Sequence, residues 1–243
     1  MSEAVIALNN IGKHYGKHEV LKGVNMQVNK GDIYGLIGRN GAGKTTTLKS
    51  LLNLVHPDCG ERLFFGLDLE HHEQEIKCRI GYAGGAVDYY RRKKIRLLAD
   101  VTKQFYPNWD ESAYRKYMDV FSLDEEKTPG ELSEGMRVKL NLTLALSHHA
   151  ELLILDEPTS GLDPVSRAEL LDVFTVLRDQ DTAILFSTHI TTDLEACADD
   201  VTYLAAGKMI TSEPMESFLK RGPSLQEIMV QYEKEDLREK LAE

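Results

Sequence analysis

The sequence predicts an α/β protein with a mostly parallel sheet and a helical subdomain inserted into it. Short apolar runs such as IYGLIG (33–38), ELLILD (151–156) and TAILFSTH (182–189) alternate with helix-like segments. Strand signals fade between about residues 90 and 148, where helical periodicity dominates. Strand–helix alternation is typical of a parallel sheet, and an all-helical interval within it indicates an insertion.

Each element has its own local signal of periodicity and flanking residues. The predicted strands cover 4–8, 20–28, 33–38, 62–69, 78–83, 151–156 and 182–189, with a last hairpin at 201–211. The predicted helices cover 44–54, 94–105, 111–123 and 136–149, and a charged helical tail follows from Glu216. The mixed charges of the tail suit a solvated helix or pairing with another subunit.

Composition limits the class of protein. The chain has 243 residues, 42% of them hydrophobic and 28% charged, which suits one large domain or a core with a subdomain. Its net charge of -10 argues against broad nucleic-acid binding. The separated cysteines Cys59, Cys78 and Cys197 fit a reducing compartment. We expect no signal peptide and no membrane-spanning segment, so any work at a membrane needs a separate spanning subunit.

The segment GRNGAGKT (38–45) matches the phosphate-loop pattern G-x-x-x-x-G-K-[ST]. Glycines allow the backbone to turn tightly, so that successive N–H groups and the next helix N-terminus face phosphate oxygens. Lys44 can then reach the β- and γ-phosphates, and Thr45 can offer a hydroxyl to Mg²⁺. The alternative without a function is a glycine-rich turn that contains a lysine by chance. The apolar strand before this segment and the helix after it favour the phosphate loop.

The segment LLILDE (152–157) places two carboxylates directly after a buried strand. P-loop NTPases hold Mg²⁺ with an aspartate in this position, and Asp156 fits that role. Glu157, one residue further, could orient or deprotonate the attacking water. Solvated acids at a strand end would look the same in isolation, but the phosphate loop favours the metal.

Four stretches together carry a resemblance to a known family: GRNGAGKTT, LSEGM, LLILDEPTSGLD and STH, in that order. The chain resembles the nucleotide-binding subunit of an ATP-binding-cassette (ABC) transporter over about residues 5–212. FYPNWDE (105–111) is similar to bacterial exporters with separate ABC-2-type permeases. The resemblance implies a P-loop NTPase core with a mostly parallel sheet, an N-terminal antiparallel β part and an inserted helical subdomain. The ABC ATPase domain would span 1–215, with the subdomain at about 88–148, and the helical tail would span 216–243.

The resemblance also explains the turn ELSEGM (131–136), where no histidine or lysine lies close enough in sequence to activate Ser133 as a nucleophile. Subunits of this family form a head-to-tail dimer in which such a turn contacts ATP held by the partner. Ser133 and Gly135 would therefore contact the γ-phosphate of the partner's ATP. Ser133 also suits the N-cap of a helix from Met136. Glu134 and Met136 replace the commoner glycine and glutamine, and Glu134 adds negative charge there.

Further site residues are implied by the same resemblance. Tyr15 would stack on adenine, Asp163 would lie at the dimer interface, and His189 would contact the γ-phosphate. The alternatives are a half-buried surface tyrosine for Tyr15 and a structural histidine at a strand end for His189. The implied catalytic residues are Lys44, Glu157 and His189, and Thr45 and Asp156 would bind Mg²⁺. The residues implied to bind ATP are Tyr15, Gly38, Asn40, Gly41, Gly43, Lys44, Thr45, Thr46, Ser133 and Gly135.

A further position departs from the family pattern, and the resemblance assigns no definite role to several other segments. Gly85 stands where the family usually has a glutamine that touches Mg²⁺ and the attacking water, which affects the expected hydrolysis rate and its coupling to the membrane partner. Asp88 could replace that glutamine only through a shifted loop. RRKKIR (91–96) suits an acidic partner surface, anionic lipid or a solvated helix face equally. The pairs His71–His72 and His148–His149 lack metal-ligand spacing and are expected to be solvated.

The function expected is an ATP- and Mg²⁺-dependent ATPase subunit that powers a membrane exporter. Its partners would be a second nucleotide-binding subunit, identical or not, and a separate transmembrane permease, with no nucleic acid. It would sit peripherally on the cytoplasmic face of the membrane. One alternative is a soluble ABC ATPase acting on DNA or ribosomes, and another, motivated by Gly85, is a regulatory module that binds ATP with weak or no hydrolysis. Specificity in this family lies mostly in the permease, so the sequence does not identify the transported molecule.

Overall fold

A computed structural model describes residues 3–84, 91–220, 222 and 224–242 of the chain. These residues form two β-sheets with helices packed around them. The predicted α/β class is confirmed, with its mostly parallel sheet, antiparallel N-terminal part and helical subdomain. Over the residues described, no helix combines the length and the apolar character that crossing a bilayer requires.

Strands and helices alternate through most of the chain. The strands are β1 (Ala4–Tyr15), β2 (His18–Asn29), β3 (Ile33–Ile37), β4 (Cys59–Phe64), β5 (Leu67–Asp68), β6 (Ile80–Gly84), β7 (Leu152–Asp156), β8 (Ala183–Thr188), β9 (Asp200–Ala205) and β10 (Lys208–Pro214). The helices are α1 (Lys44–Leu51), α2 (Glu73–Cys78), α3 (Ile95–Thr102), α4 (Glu111–Val120), α5 (Glu134–Leu146), α6 (Pro164–Arg178), α7 (Thr191–Cys197), α8 (Met215–Leu219) and α9 (Leu225–Ala242).

The larger sheet has the strand order β10-β9-β3-β8-β7-β6, and only β10 runs antiparallel to its neighbour. Every residue of β3 and of β8 is buried, which is typical of parallel strands covered on both faces. Since β3, β7 and β8 are adjacent and parallel, their carboxyl ends meet at one edge. The phosphate loop and both candidate carboxylates follow these ends.

The smaller sheet is antiparallel in the order β2-β1-β4-β5. β1 continues seven residues past the predicted end at Leu8. The register shifts between Leu8 and Ile11, and Asn10 adopts a left-handed φ of 56°. An asparagine bulge therefore interrupts the alternation without ending the strand.

The predicted helical insertion contains α3, α4 and α5, which share an apolar cluster. The buried members are Ile95, Ala99, Tyr114, Met118, Leu132 and Leu140. α5 begins at Glu134, two residues before the predicted start, because the Ser133 side chain caps it. α2 was not predicted; it has six residues and buries only Ile76, too short a pattern to show helical periodicity.

The C-terminal segment packs on the core. Phe218 and Leu225 are fully buried in the same apolar cluster as Phe186 of β8. The ring centroids of Tyr203 and Tyr232 lie 5.8 Å apart. The first half of α9 is therefore part of the folded body and is not a solvated extension.

Candidate nucleotide-binding site

The loop 38–43 joins β3 to α1 and is shaped by glycines. A Cβ at Gly38 would lie 2.3 Å from the carbonyl oxygen of Leu204, so no side chain fits there. Gly41 and Gly43 have φ values of 83° and 109°, which L-residues rarely adopt. Over the described segment 38–51, no side chain caps α1 and no acidic residue occupies its first turn. This arrangement suits an anion at the helix N-terminus.

Lys44 is held at the start of α1 by oxygen atoms on three sides. It is only 5% exposed, and its Nζ donates to the carbonyl oxygen of Gly38 at 2.8 Å and that of Arg39 at 3.4 Å. Its Nζ also lies 3.3 Å from Oε1 of Glu157. The ammonium group is therefore fixed over the loop, where it can bind phosphate oxygens by exchange with these partners.

A turn at the β9–β10 hairpin links the loop to the smaller sheet. The N–H of Gly207 donates to the carbonyl of Ala42 at 3.0 Å, and the carbonyl of Gly207 accepts from the N–H of Lys22 at 2.8 Å. A Cβ at Gly207 would lie 2.3 Å from the carbonyl oxygen of Val20. The main chain of one turn thus joins the phosphate loop to β2.

Asp156 ends β7 beside the first turn of α1. Its Oδ1 accepts from Thr45 Oγ1 at 3.3 Å and from Ser187 Oγ at 2.6 Å. A carboxylate and a hydroxyl at this spacing are hard oxygen donors of the kind that Mg²⁺ binds. The two residues predicted as Mg²⁺ ligands therefore lie together and fit that ion chemically.

Glu157 lies just beyond β7, between two predicted site residues. Its Oε1 faces Lys44, and its Oε2 lies 2.6 Å from Nδ1 of His189. The backbone of Glu157 has a left-handed φ of 52°, which costs about 1–2 kcal/mol in a residue with a side chain. Strain of this kind persists where surrounding contacts enforce it. The carboxylate is thereby presented towards the phosphate loop.

Sequence reasoning did not identify Ser187 as a functional residue. It pairs in parallel register with Asp156, and its buried hydroxyl bonds that carboxylate. The available signal was the serine of STH, two residues before His189. A strand pattern alone does not show which residue of a neighbouring strand lies alongside, so this contact required the structure.

Tyr15 lies at the end of β1, opposite His18 at the start of β2. Its ring is 52% exposed, and Lys13 Nζ lies 5.7 Å from the ring centroid. Lys13 also donates to Asp58 at 2.8 Å, and this bond is the main cause lowering the pKa of Asp58 to about 2. The exposed ring is available for stacking on a base, as the resemblance implies.

The turn 133–135 lies at the start of α5. Ser133 Oγ accepts from the N–H of Met136 at 3.3 Å, which confirms the predicted capping role. A Cβ on Gly161 would lie 3.4 Å from Oε2 of Glu134, and a Cβ on Gly135 would lie 3.6 Å from Ser166 Cβ. Among the described residues, no hydrogen bond or ion pair joins this turn to the phosphate loop of the same chain.

Asp163 caps α6 by accepting from the N–H groups of Val165 and Ser166. The hydroxyl of Ser166, 2.6 Å away, is the main cause lowering the pKa of Asp163.

The remaining predicted site residues lie in other parts of the chain. Asn40 is exposed in the phosphate loop, and Thr46 lies in the first turn of α1. Gly85 and Asp88, where the sequence departs from the family pattern, lie outside the described residues.

The basic run 91–96 is partly neutralised. Lys94 pairs with Glu126, and Arg96 Nη1 lies 3.5 Å from the same carboxyl group. The run therefore presents less net charge than its sequence indicates.

The prediction that both histidine pairs are solvated is wrong for His148. This side chain is 1% exposed, and its ring stacks on that of Tyr106 with centroids 3.7 Å apart. Burial lowers the pKa of His148 to about 4. His71 and His149 are exposed, as expected. His148 was misassigned because it lies just past the end of α5, where periodicity no longer reports burial.

His148 predicts an acid-sensitive fold. Its pKa is below the ordinary 6.5, so the unfolded chain binds the proton first and stability is lost as pH falls from about 6.5 towards about 4. Between pH 7 and 5 we expect this group to remove about 2 kcal/mol of the free energy of unfolding. Urea unfolding at pH 7 and pH 5 should show a smaller loss of unfolding free energy for His148→Phe than for wild type. The phenylalanine keeps the stacked ring but has no group that titrates. The exposed control His72→Phe should match wild type; equal losses in all three would contradict the assignment.

Comparisons with known proteins agree with this geometry. The ABC transporter family model matches residues 21–160. The bacitracin transport ATP-binding protein BcrA of Bacillus licheniformis is 33% identical over 220 residues, covering 89% of this chain and 72% of that protein. The Nod factor export ATP-binding protein I of Burkholderia orbicola is 34% identical, covering 86% and 71%. A solved ATP-binding subunit of an ABC transporter superposes with a TM-score of 0.84 at 26% identity, covering 93% and 98%.

Proposed function

Since this chain belongs to the ABC transporter family, whose ATP-binding subunits hydrolyse ATP, we propose that it drives a membrane exporter through ATP-dependent dimerisation. The observation that carries the proposal is the meeting of Lys44, Asp156, Glu157 and His189 at one sheet edge. Residues from three separate segments of the chain converge there on a glycine-shaped phosphate loop. Phosphoryl transfer requires mainly such positioning and charge stabilisation.

Each residue has a role that its position supports. Backbone N–H groups of the loop and Lys44 would bind the β- and γ-phosphates of ATP. Thr45 and Asp156 would hold Mg²⁺, which neutralises charge on the phosphates when bound. Glu157 would accept a proton from the attacking water, while His189, 2.6 Å from it, would orient that carboxylate and contact the γ-phosphate.

The second half of each site would come from another copy or a related subunit. Ser133 is exposed at the N-terminus of α5, and Asp163 is exposed at the N-terminus of α6. Both turns are close, since a Cβ at Gly135 would contact Ser166. Opposed head to tail, the Ser133 turn would meet the γ-phosphate on the partner's phosphate loop, and Asp163 would lie in the interface.

A separate permease would complete the transporter, with this subunit peripheral on the inner face of the membrane. Similarity to the BcrA transport protein and to the Nod factor export protein supports transport, and the latter supports export. The experiment that tests this assembly is purification of the full chain with its native membrane partner. Co-purification with one integral membrane protein is expected, and recovery only with nucleic acid or ribosomes would overturn it.

Dimerisation can be tested without disturbing the fold, because aspartate also caps helices well. Ser133→Asp should keep α5 capped and retain binding of a non-hydrolysable ATP analogue, yet place a carboxylate against the partner's γ-phosphate. Like charges about 4 Å apart repel by about 1–4 kcal/mol, so dimer affinity should fall about fivefold or more. Light scattering with the analogue and Mg²⁺ measures this.

Two variants serve as controls for the Ser133→Asp experiment. In Ser133→Asn the asparagine has nearly the shape of the aspartate but carries no charge, so this variant should weaken the dimer less than Ser133→Asp. Ser112→Asp alters an exposed serine in the first turn of α4 and should dimerise as wild type. A wild-type chain that stays monomeric at saturating nucleotide, or a fully dimeric Ser133→Asp, would count against the head-to-tail arrangement.

A further inference from the structure

We propose that Ser187 is a positioning residue that holds both the Mg²⁺ carboxylate Asp156 and the strained peptide of Glu157. The inference rests on the proposed roles of those two acidic residues. Ser187 is fully buried, and its Oγ donates to Asp156 Oδ1 at 2.6 Å. The same Oγ accepts from the N–H of Glu157 at 3.1 Å. One hydroxyl thus connects the residue that would hold the metal to the residue that would activate water.

The two hydroxyl groups that donate to the Asp156 carboxylate, those of Thr45 and Ser187, differ in exposure and in bond length, and these differences separate their roles. Thr45 is exposed and its bond is 3.3 Å, whereas Ser187 is buried and its bond is 2.6 Å. Thr45 can therefore turn its oxygen to a metal ion and give up its bond to Asp156. Ser187 lies on the interior side and keeps its bond. The carboxylate rotamer would then be fixed from behind while its other face remains open to the phosphate loop.

Glu157 is held at two places by the end of β8. Its N–H lies 3.1 Å from both the carbonyl oxygen and the Oγ of Ser187. Its carboxylate lies 2.6 Å from Nδ1 of His189, two residues further along. The left-handed φ of 52° at Glu157 needs such support, because a residue with a side chain leaves that conformation readily. Ser187 therefore orients the Glu157 carboxylate by holding the backbone of Glu157. His189 orients the same carboxylate by contacting the side chain directly.

The test compares Ser187→Ala with Ser187→Thr, which retains the hydroxyl. In Ser187→Ala we expect kcat for ATP to fall about 10- to 100-fold, with KM changed far less, as when an outer-shell partner of a metal ligand is lost. Binding of a fluorescent ATP analogue should be unchanged in EDTA and weaker than wild type in Mg²⁺. Ser187→Thr should recover most of both losses. A merely structural serine would not produce a Mg²⁺-specific binding defect.

Ser147→Ala is the matched control, since Ser147 is also fully buried and its Oγ donates to the carbonyl of Thr143 at 2.6 Å. It should hydrolyse ATP as wild type. If Ser187→Ala does not fold, Ser187→Cys replaces the hydroxyl by a weak donor of similar shape, and the same defects are expected. Unchanged kcat and unchanged Mg²⁺-dependent binding would overturn the inference, as would equal binding losses in EDTA and in Mg²⁺.

Wild type and Lys44→Ala are measured alongside these variants. If wild-type turnover does not exceed that of Lys44→Ala, the proposed ATPase roles themselves are wrong. If wild type turns over well and Ser187→Ala matches it, only the role of Ser187 is wrong. The two failures are therefore distinguishable.

Discussion

Replacing Glu157 by glutamine is expected to lower ATP turnover by about 10²- to 10⁴-fold, the range for loss of a general base. The amide cannot accept the proton of the attacking water. It also removes one negative charge that faces Lys44 at 3.3 Å, so nucleotide binding should be retained or tightened. Bound ATP should then persist and hold two subunits together. Phosphate release and light scattering, measured on the same sample, should show almost no turnover and a stable dimer.

Glu151→Gln is the matched control, because Glu151 directly precedes β7 and Glu157 directly follows it. Glu151 pairs with Arg79 at the opposite end of the strand, away from the phosphate loop. Its variant should hydrolyse ATP at the wild-type rate. Normal turnover by Glu157→Gln would exclude Glu157 as the base.

Replacing Lys44 by alanine is expected to weaken ATP binding by about 10- to 150-fold, the equivalent of one hydrogen bond to a charged group worth about 1.5–3 kcal/mol. The buried ammonium is already fixed by the carbonyls of Gly38 and Arg39, so it approaches phosphate with little further loss of side-chain freedom. Turnover should fall to background. Equilibrium binding of a fluorescent ATP analogue and phosphate release measure the two effects.

The control for this variant is Lys49→Ala, since Lys49 is exposed in the last turn of the same helix. It should bind and hydrolyse ATP normally. Undiminished binding by Lys44→Ala would show that the loop does not use this lysine. A wild-type turnover no higher than that of Lys44→Ala would instead favour a regulatory module that binds ATP without hydrolysing it.

The sheet and the phosphate-binding edge were predictable because their signals are local. The runs IYGLI, LLIL and AILF are apolar and are followed directly by Gly38, Asp156 and Ser187, so their burial and their functional ends can be read directly. The structure brings Lys44, Asp156, Glu157 and His189 together as the motifs predict. The chemical roles of these four residues stay predictions, as do those of Tyr15, Ser133, Gly135 and Asp163, which concern a base and a partner subunit.

What the sequence missed depends on contacts between distant segments. The asparagine bulge lets β1 pass Leu8 because β2 and β4 pair with both halves of the strand. His148 is buried by the ring of Tyr106, which is 42 residues earlier in the chain. Ser187 acts through its parallel register with Asp156. Local sequence patterns do not identify any of these contact partners, because each partner lies in a distant segment of the chain.

The turn at Gly207 has a consequence for ligand length. Its N–H and C=O connect Ala42 in the phosphate loop to Lys22 on β2, the strand that pairs with the Tyr15 end of β1. The position of the phosphate loop relative to β2 is thus held by peptide groups. With Tyr15 as the proposed base-binding residue, this connection would favour nucleotides whose base and phosphates are separated by a matching distance.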